Sequence, residues 1–224
     1  LTRFSPIFSR EHARIGTMIV LEDITREEML HRKVSAQTEN LERMVKEKTS
    51  ELQEANAKLE ILARTDSLTG LANRRTFEEV LRNELLRSNR YKHSTGVLMV
   101  DVDNFKQVND KLGHQTGDVV LKYVASILSK SVRASDTVAR WGGDEFILLL
   151  PQAGHPECTA VTRRISENLL IENASSEVFP GLIVGLSVGW ATDVGGTAEA
   201  LVAQADKMMY DVKAAKKVKV RQNG

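Results

Sequence analysis

The chain has 224 residues, room for one full domain and an accessory piece. Lys and Arg number 31 against 30 Asp and Glu, so no bulk charge asks for nucleic acid or an anionic membrane surface. The single cysteine, Cys158, excludes an intrachain disulfide and a cysteine-cluster zinc site, and it fits a reducing compartment.

Apolar runs such as Phe146–Leu150 are far too short to cross a bilayer, and there is no signal-peptide pattern. The expectation is a cytoplasmic chain with no membrane span of its own. It opens on Leu1 and so reads as a fragment, with an upstream anchor left open.

Residues 1–25 come first in chain order. "RIGTMIVLEDIT", Arg14 to Thr25, has the β-branched, apolar core of a strand, and "SPIFSREHA" before it reads as another strand and turn. So short a piece cannot bury a core alone. Its ending, from Gly16 to Asp23-Ile24-Thr25, resembles the last strand of a PAS sensor domain.

Residues 26–63 contain neither Gly nor Pro and are rich in good helix formers. Leu30, Val34, Gln37, Leu41 and Met44 are spaced as a heptad seam. Val45, Lys48, Leu52, Ala55, Leu59 and Leu62 form a second register, joined to the first by one extra residue. Such a stutter locally unwinds a supercoil. The narrow, persistent seam predicts a parallel coiled-coil dimer rather than a single amphipathic helix lying on a domain.

Residues 64–224 alternate helix and strand patterns. A helix, "RTFEEVLRNELLRSNRY", precedes a strand and loop, "STGVLMVDVDNF". A helix, "GDVVLKYVASILSKSV", leads to hairpin arms at Thr137–Trp141 and Asp144–Leu150. Then come a helix, "CTAVTRRISENLLIE", a strand, "GLIVGLSVGWAT", a helix, "TAEALVAQADKMMYDVKAA", and a candidate last strand, "KVKVRQ". This order predicts an α/β or α+β sandwich, with helices covering a mostly antiparallel sheet.

Two places concentrate chemistry. Asp101 and Asp103 close an apolar strand, and strand alternation puts both carboxylates on one side. Buried acids there are costly unless paired or bound to a metal. Gly142-Gly143 suits a two-residue hairpin turn with positive φ, and bare backbone can also approach a phosphate. Asp144 and Glu145 come next, and regular alternation would turn them to opposite faces. Carboxylates on two neighbouring strands suit Mg²⁺, a hard ion, held against a nucleotide for phosphoryl transfer.

Gly142-Gly143-Asp144-Glu145-Phe146 reproduces the motif that names the GGDEF family of diguanylate cyclases. "DSLTGLANRR" (Asp66–Arg75), "DVDNFKQVNDKLGHQTGD" (Asp101–Asp118) and "ADKMMYDVK" (Ala205–Lys213) resemble its other motifs, in matching order and spacing. The resemblance covers about Arg64–Val220. It implies a five-stranded sheet with surrounding helices, similar to the palm of adenylyl cyclases and polymerases. It also implies condensation of two GTP into cyclic di-GMP with release of two pyrophosphates.

Carried over by residue, Asp101 and Asp144 would hold Mg²⁺ or Mn²⁺ with the Val102 carbonyl. Asp144 would also help deprotonate the attacking 3′-hydroxyl, and Glu145 belongs to the same catalytic group. Gly142 and Gly143 would lie against the nucleotide, and Phe105 and Lys106 would meet its terminal phosphates. Asn109 and Asp118 would read guanine, since a carboxylate can accept from both N1–H and the 2-amino group. Asp118 also reads as an N-cap for the helix after it.

Lys213 and Lys217 would bind phosphate. Here the pattern usually continues Gly-Arg-Asn, and this chain has Lys216-Lys217-Val218. Lysine lacks the planar fork of arginine. Arg133 and Asp136 match the family's RxxD inhibitory product site, with Arg164 as a second arm. Asp66, Asn73 and Arg74 read as structural or signal-coupling.

The implied partners are GTP, cyclic di-GMP and a second copy of the chain. Two equivalent bonds in the product ask for two sites facing across a two-fold axis. The alternative to an active cyclase is a catalytically silent module that binds cyclic di-GMP.

Overall fold

The computed structural model describes residues 2–21, 25–175 and 183–222. The chain divides into two compact units, 1–59 and 60–224.

The first unit holds a hairpin of β1 (Thr2–Phe8) and β2 (Arg14–Leu21), antiparallel from Thr2 opposite Leu21 to Phe8 opposite Arg14. Phe4, Phe8, Ile15 and Leu21 are among its exposed apolar residues. A lone hairpin is marginal in water, and this one has no buried face within the unit. Of the PAS-like ending, residues 22–24 lie outside the described residues.

The helix α1 (Thr25–Arg64) runs without a break, as its composition requires. Leu30, Val34, Leu41, Met44, Val45 and Leu52 of the seam are all exposed.

The second unit contains β3 (Ala72–Asn73), α2 (Arg74–Tyr91), β4 (Thr95–Val102), α3 (Phe105–Leu112), α4 (His114–Lys130), β5 (Thr137–Gly142) and β6 (Glu145–Leu150). It closes with α5 (His155–Ser175), β7 (Leu186–Asp193) and α6 (Ala198–Gln222). The five strands form one mixed sheet in the order β3-β5-β6-β4-β7. The β3–β5 pair is parallel, and β5–β6, β6–β4 and β4–β7 are antiparallel.

All eight residues of β4 are buried, because helices cover both faces of the sheet. Leu98, Val100 and Val102 join Phe146, Leu148 and Leu150 in a core with α4 and α5. Val97 and Met99 face the other way, onto Phe77, Leu81 and Leu85 of α2 and Leu201, Ala205 and Met209 of α6. The result is an α+β sandwich of helices, sheet and helices.

Three elements differ from the sequence reading, the first being β3 at Ala72–Asn73, not expected as a strand. The expected loop after β4 is a helix, α3, started by Asn104 in the left-handed region at φ 57°. The expected last strand "KVKVRQ" is the end of α6. Ala214, Ala215, Lys216 and Lys217 favour helix, and no Gly or Pro stops it there.

Candidate active site

The site begins at the end of β4. Asp101 is only 5% exposed and pairs across the sheet with Glu145 of β6 on one side and Ser187 of β7 on the other. Directly opposed residues share a face, so the Asp101 and Glu145 carboxylates point to the same side. Asp144 stands in the turn rather than in a strand, and its carbonyl accepts from the Val102 N–H at 3.2 Å. Strand alternation therefore governs Glu145 but not Asp144. Glu145 belongs to the Asp101 face by register, and Asp144 reaches it from the turn.

The turn itself is Gly143-Asp144. Only Gly143 has positive φ, at 51°, while Gly142 pairs with Glu145. The register shifts between Arg140 and Gly142, leaving Trp141 as the extra residue of a bulge. Arg140 then donates from Nε and Nη2 to the Gly143 carbonyl, at 3.0 and 2.7 Å. Its Nη1 donates to both oxygens of Asp66 at 3.3 Å. The Thr69 hydrogen bonds and the Arg140 charge outweigh burial and hold the Asp66 carboxyl below its ordinary value. Asp66 and Arg140 thus tie the segment after α1 to the hairpin turn.

Charge at the site is lopsided. Burial, with the charges of Asp144 and Asp103 added, raises the Asp101 carboxyl above its ordinary value despite a 2.6 Å bond from Lys213 Nζ. Burial also raises Glu145, helped by the charges of Asp101, Asp144 and Asp206. For Lys213, burial works downward, but the bond and charge of Asp101, with Asp144 and Asp103, raise it overall. Asp103 is bound by the Ser187 hydroxyl at 2.6 Å and by Lys216 Nζ at 2.8 Å.

Among the described residues, no group of three or more His, Cys, Asp or Glu side chains could hold a metal by itself. A two-carboxylate site does fit the donors present. Asp101 already holds a cation, the Lys213 ammonium, at 2.6 Å, and carboxylate oxygens are hard donors. Mg²⁺ characteristically takes one or two carboxylates and completes its shell with water and substrate phosphate.

The residues expected to meet the nucleotide lie on α3 and α4. Phe105 packs its ring on the core, leaving its main chain at the start of α3 beside exposed Lys106. The first N–H groups of a helix lack helical partners and suit anions. Asn109, one turn on, lies against Gly117 so closely that a Cβ there would collide with its Oδ1. Asp118 is the next residue and is exposed. It is not the N-cap: α4 starts at His114 and its cap is Gly113. Lys217 lies on the exposed end of α6.

A second cavity, of about 340 Å³, brings together Arg133, Asp136 and Arg164 beside Pro151, Pro156 and Glu157. The Arg133 N–H donates to Asp136 Oδ2 at 2.8 Å, and Arg164 Nε donates to the Ser131 carbonyl at 2.6 Å. Asn73 caps α2 by accepting from the Thr76 N–H at 3.0 Å and donates to the Ala63 carbonyl at 2.9 Å. Arg74 lies over the Trp141 ring at 4.1 Å.

Sequence reasoning gave no role to Arg140, Gly117 or Ser187. Gly117 had a readable signal, since a glycine inside a helix is unfavourable unless something packs against it. Arg140 had none, because its role depends on the bulge.

The sequence model described as "Diguanylate cyclase, GGDEF domain" matches residues 63–219. The chain belongs to the GGDEF family. It is 38% identical over 170 residues to diguanylate cyclase TpbB of Pseudomonas aeruginosa, covering 72% of this chain and 38% of that protein. The crystal structure of diguanylate cyclase SiaD in complex with its activator SiaC, also from P. aeruginosa, matches with a TM-score of 0.64 and 35% identity. That match covers 86% of this chain and 74% of SiaD. The coiled coil and GGDEF domain of DgcB from Caulobacter crescentus, in complex with c-di-GMP, matches with a TM-score of 0.67 and 26% identity. It covers 83% of this chain and 95% of that coiled-coil and GGDEF chain. The GGDEF chain here spans about a quarter to a half of the length of the curated relatives it matches. No helix among its described residues is long and apolar enough to cross a membrane.

Proposed function

We propose that the chain is a diguanylate cyclase, condensing two GTP into cyclic di-GMP and two pyrophosphates. The observation that carries this is the cross-strand pair Asp101 and Glu145 with Asp144 in the adjoining turn. Three carboxylates on one sheet end, two of them with raised proton affinity, make a site that wants a cation and a polyphosphate.

Asp101, Asp144 and the Val102 carbonyl would hold Mg²⁺ or Mn²⁺, which neutralises phosphate charge and lowers the pKa of the attacking hydroxyl. Gly142 and Gly143 let the backbone lie against the nucleotide. The start of α3, with Lys106, receives the terminal phosphates, and Lys213 and Lys217 add positive charge. Asn109 and Asp118 read guanine. Asp144 accepts the 3′-hydroxyl proton, with Glu145 facing the same site, as that oxygen attacks the α-phosphorus of a second GTP. The bond to the β-phosphate breaks, and pyrophosphate leaves with the electron pair.

One chain offers one such site, so the reaction needs two copies facing each other. The exposed seam of α1 supports a parallel coiled coil that keeps them at high effective concentration. Residues 1–25 are read as the end of a PAS-like sensor, and the stutter is where its signal would reach the cyclase. GTP as substrate argues for a cytoplasmic site of action.

Gly117→Ala separates specificity from stability. Alanine favours a helix by about 1 kcal/mol over glycine, so the domain should melt no lower. Its methyl pushes Asn109 aside and crowds the Phe105 ring at 3.2 Å, a crowding the helix gain offsets, and KM for GTP should rise about tenfold, as loss of a hydrogen bond to a base edge would give.

The Arg133–Asp136–Arg164 cavity is read as a product site, with the Arg133 fork on O6 and N7 of guanine. Pyrophosphate release from GTP tests both parts of this reading. Added cyclic di-GMP should slow the native chain, and Arg133→Ala should lose most of that inhibition while keeping its turnover. A chain that binds cyclic di-GMP tightly yet releases no pyrophosphate would instead be the silent binding module.

A further inference from the structure

We propose that Lys216 is a positioning residue for the loop that receives the GTP phosphates, acting through Asp103. The inference rests on the cyclase reading of this site. Lys216 reaches back from α6 and donates to two acceptors, Asp103 Oδ2 at 2.8 Å and the Leu186 carbonyl. The other oxygen of Asp103, Oδ1, takes the Ser187 hydroxyl at 2.6 Å, and the Asp103 N–H donates to the Gly185 carbonyl at 2.9 Å. Both carboxylate oxygens and the amide of one residue are therefore fastened, two to the approach and start of β7 and one to α6.

The next three residues give this fastening its purpose. Asn104 stands in the left-handed region at φ 57°, a conformation asparagine tolerates, and it turns the chain from β4 into α3. Phe105 and Lys106 come after it and open α3. Asp103 is thus the fixed end of the loop that aims their main-chain N–H groups. Gly185 leaves the room this needs: a Cβ there would stand 2.8 Å from Asp103 Oδ2.

The two lysines have divided their work. Lys213 and Lys216 lie three residues apart on one face of α6 and meet different partners, Asp101 and Asp103. Lys213 sits where charge must rearrange when a nucleotide arrives. Lys216 holds a carboxylate that no step of the reaction needs. A glycine at 216, the residue of the usual pattern, has no side chain to do this. The Lys216 side chain is 46% exposed, so the ion pair adds little to stability, and its effect should appear in geometry.

Steady-state kinetics on the full chain test this with Lys216→Met, Lys216→Arg, Asp103→Asn and the double variant Lys216→Met/Asp103→Asn. Lys216→Met should raise KM for GTP about tenfold, the size of one lost charged hydrogen bond, while kcat changes by less than about threefold. Lys216→Arg should restore most of the loss. The double variant should be no worse than Asp103→Asn alone, because the two residues act as one unit.

An unchanged KM in Lys216→Met, with the native chain active, overturns this inference and leaves the cyclase reading intact. Additive effects in the double variant also overturn it, since Lys216 would then touch phosphate directly. A native chain with no GTP turnover overturns the cyclase reading and this inference with it.

Discussion

Replacing Asp101 by Asn is expected to cut cyclic di-GMP synthesis by at least about a hundredfold, the scale of losing one preorganised charge at a reacting centre. The change keeps size and shape, so packing against Glu145 and Ser187 is preserved. What it removes is the charge that Lys213 meets and that the proposed metal would need. Asp101 is the most buried of the site carboxylates, and Lys213 Nζ stands 2.6 Å from it. An amide there leaves the ammonium facing a neutral group, which also weakens the hold of α6 on the end of β4. Product formation and a melting curve on the same preparation separate the two effects. A folded Asp101→Asn chain that kept more than about a tenth of the native rate would remove the metal assignment.

Gly189→Ala should have the largest effect on stability. Gly189 lies opposite Met99, on the sheet face that α6 covers. A Cβ there would stand 2.5 Å from the Ala205 carbonyl oxygen and 2.5 Å from Met209 Cα, and would collide with the Met209 amide nitrogen. These atoms are backbone, so no rotamer can relieve the clash, and α6 must move away from β7. Overpacking of this kind costs about 3 kcal/mol. For a domain of this size that lowers the melting temperature by about 6–12 °C. Lys213 lies one turn beyond Met209, and Lys216 nearly two, so the folded fraction should also turn over more slowly. An unchanged denaturation midpoint would mean that α6 does not rest on β7 as described.

Much of this was legible in the sequence, for identifiable reasons. The strand Thr95–Val102 is built on the apolar run Val97–Val100, and its burial on both faces follows from that run. The helix α1 follows from composition alone, since nothing in it can break a helix. Asp101 and Asp103 are expected on one side from alternation, and both meet lysines of α6 although Asp103 stands just past the strand end.

The features that escaped depend on turn geometry or on contacts far apart in sequence. Glu145 could not be placed, because counting along a strand gives its facing only once the turn residues are known. The bulge at Trp141 sets that count, and Arg140 stabilises the turn from a position with no local signal. The helix α3 itself was hidden because Asn104 starts it without a side-chain cap. Lys216 stood out as a departure from the usual pattern, but its partners lie 113 and 30 residues away.

Whether Asp101, Glu145 and Asp144 serve the condensation of two GTP is tested most directly by product identification. The full chain is incubated with GTP and Mg²⁺, and the nucleotide products are identified by chromatography and mass. Cyclic di-GMP is expected, with two pyrophosphates released for each molecule formed. GTP recovered unchanged, from folded protein at a concentration where the chain self-associates, would contradict this assignment.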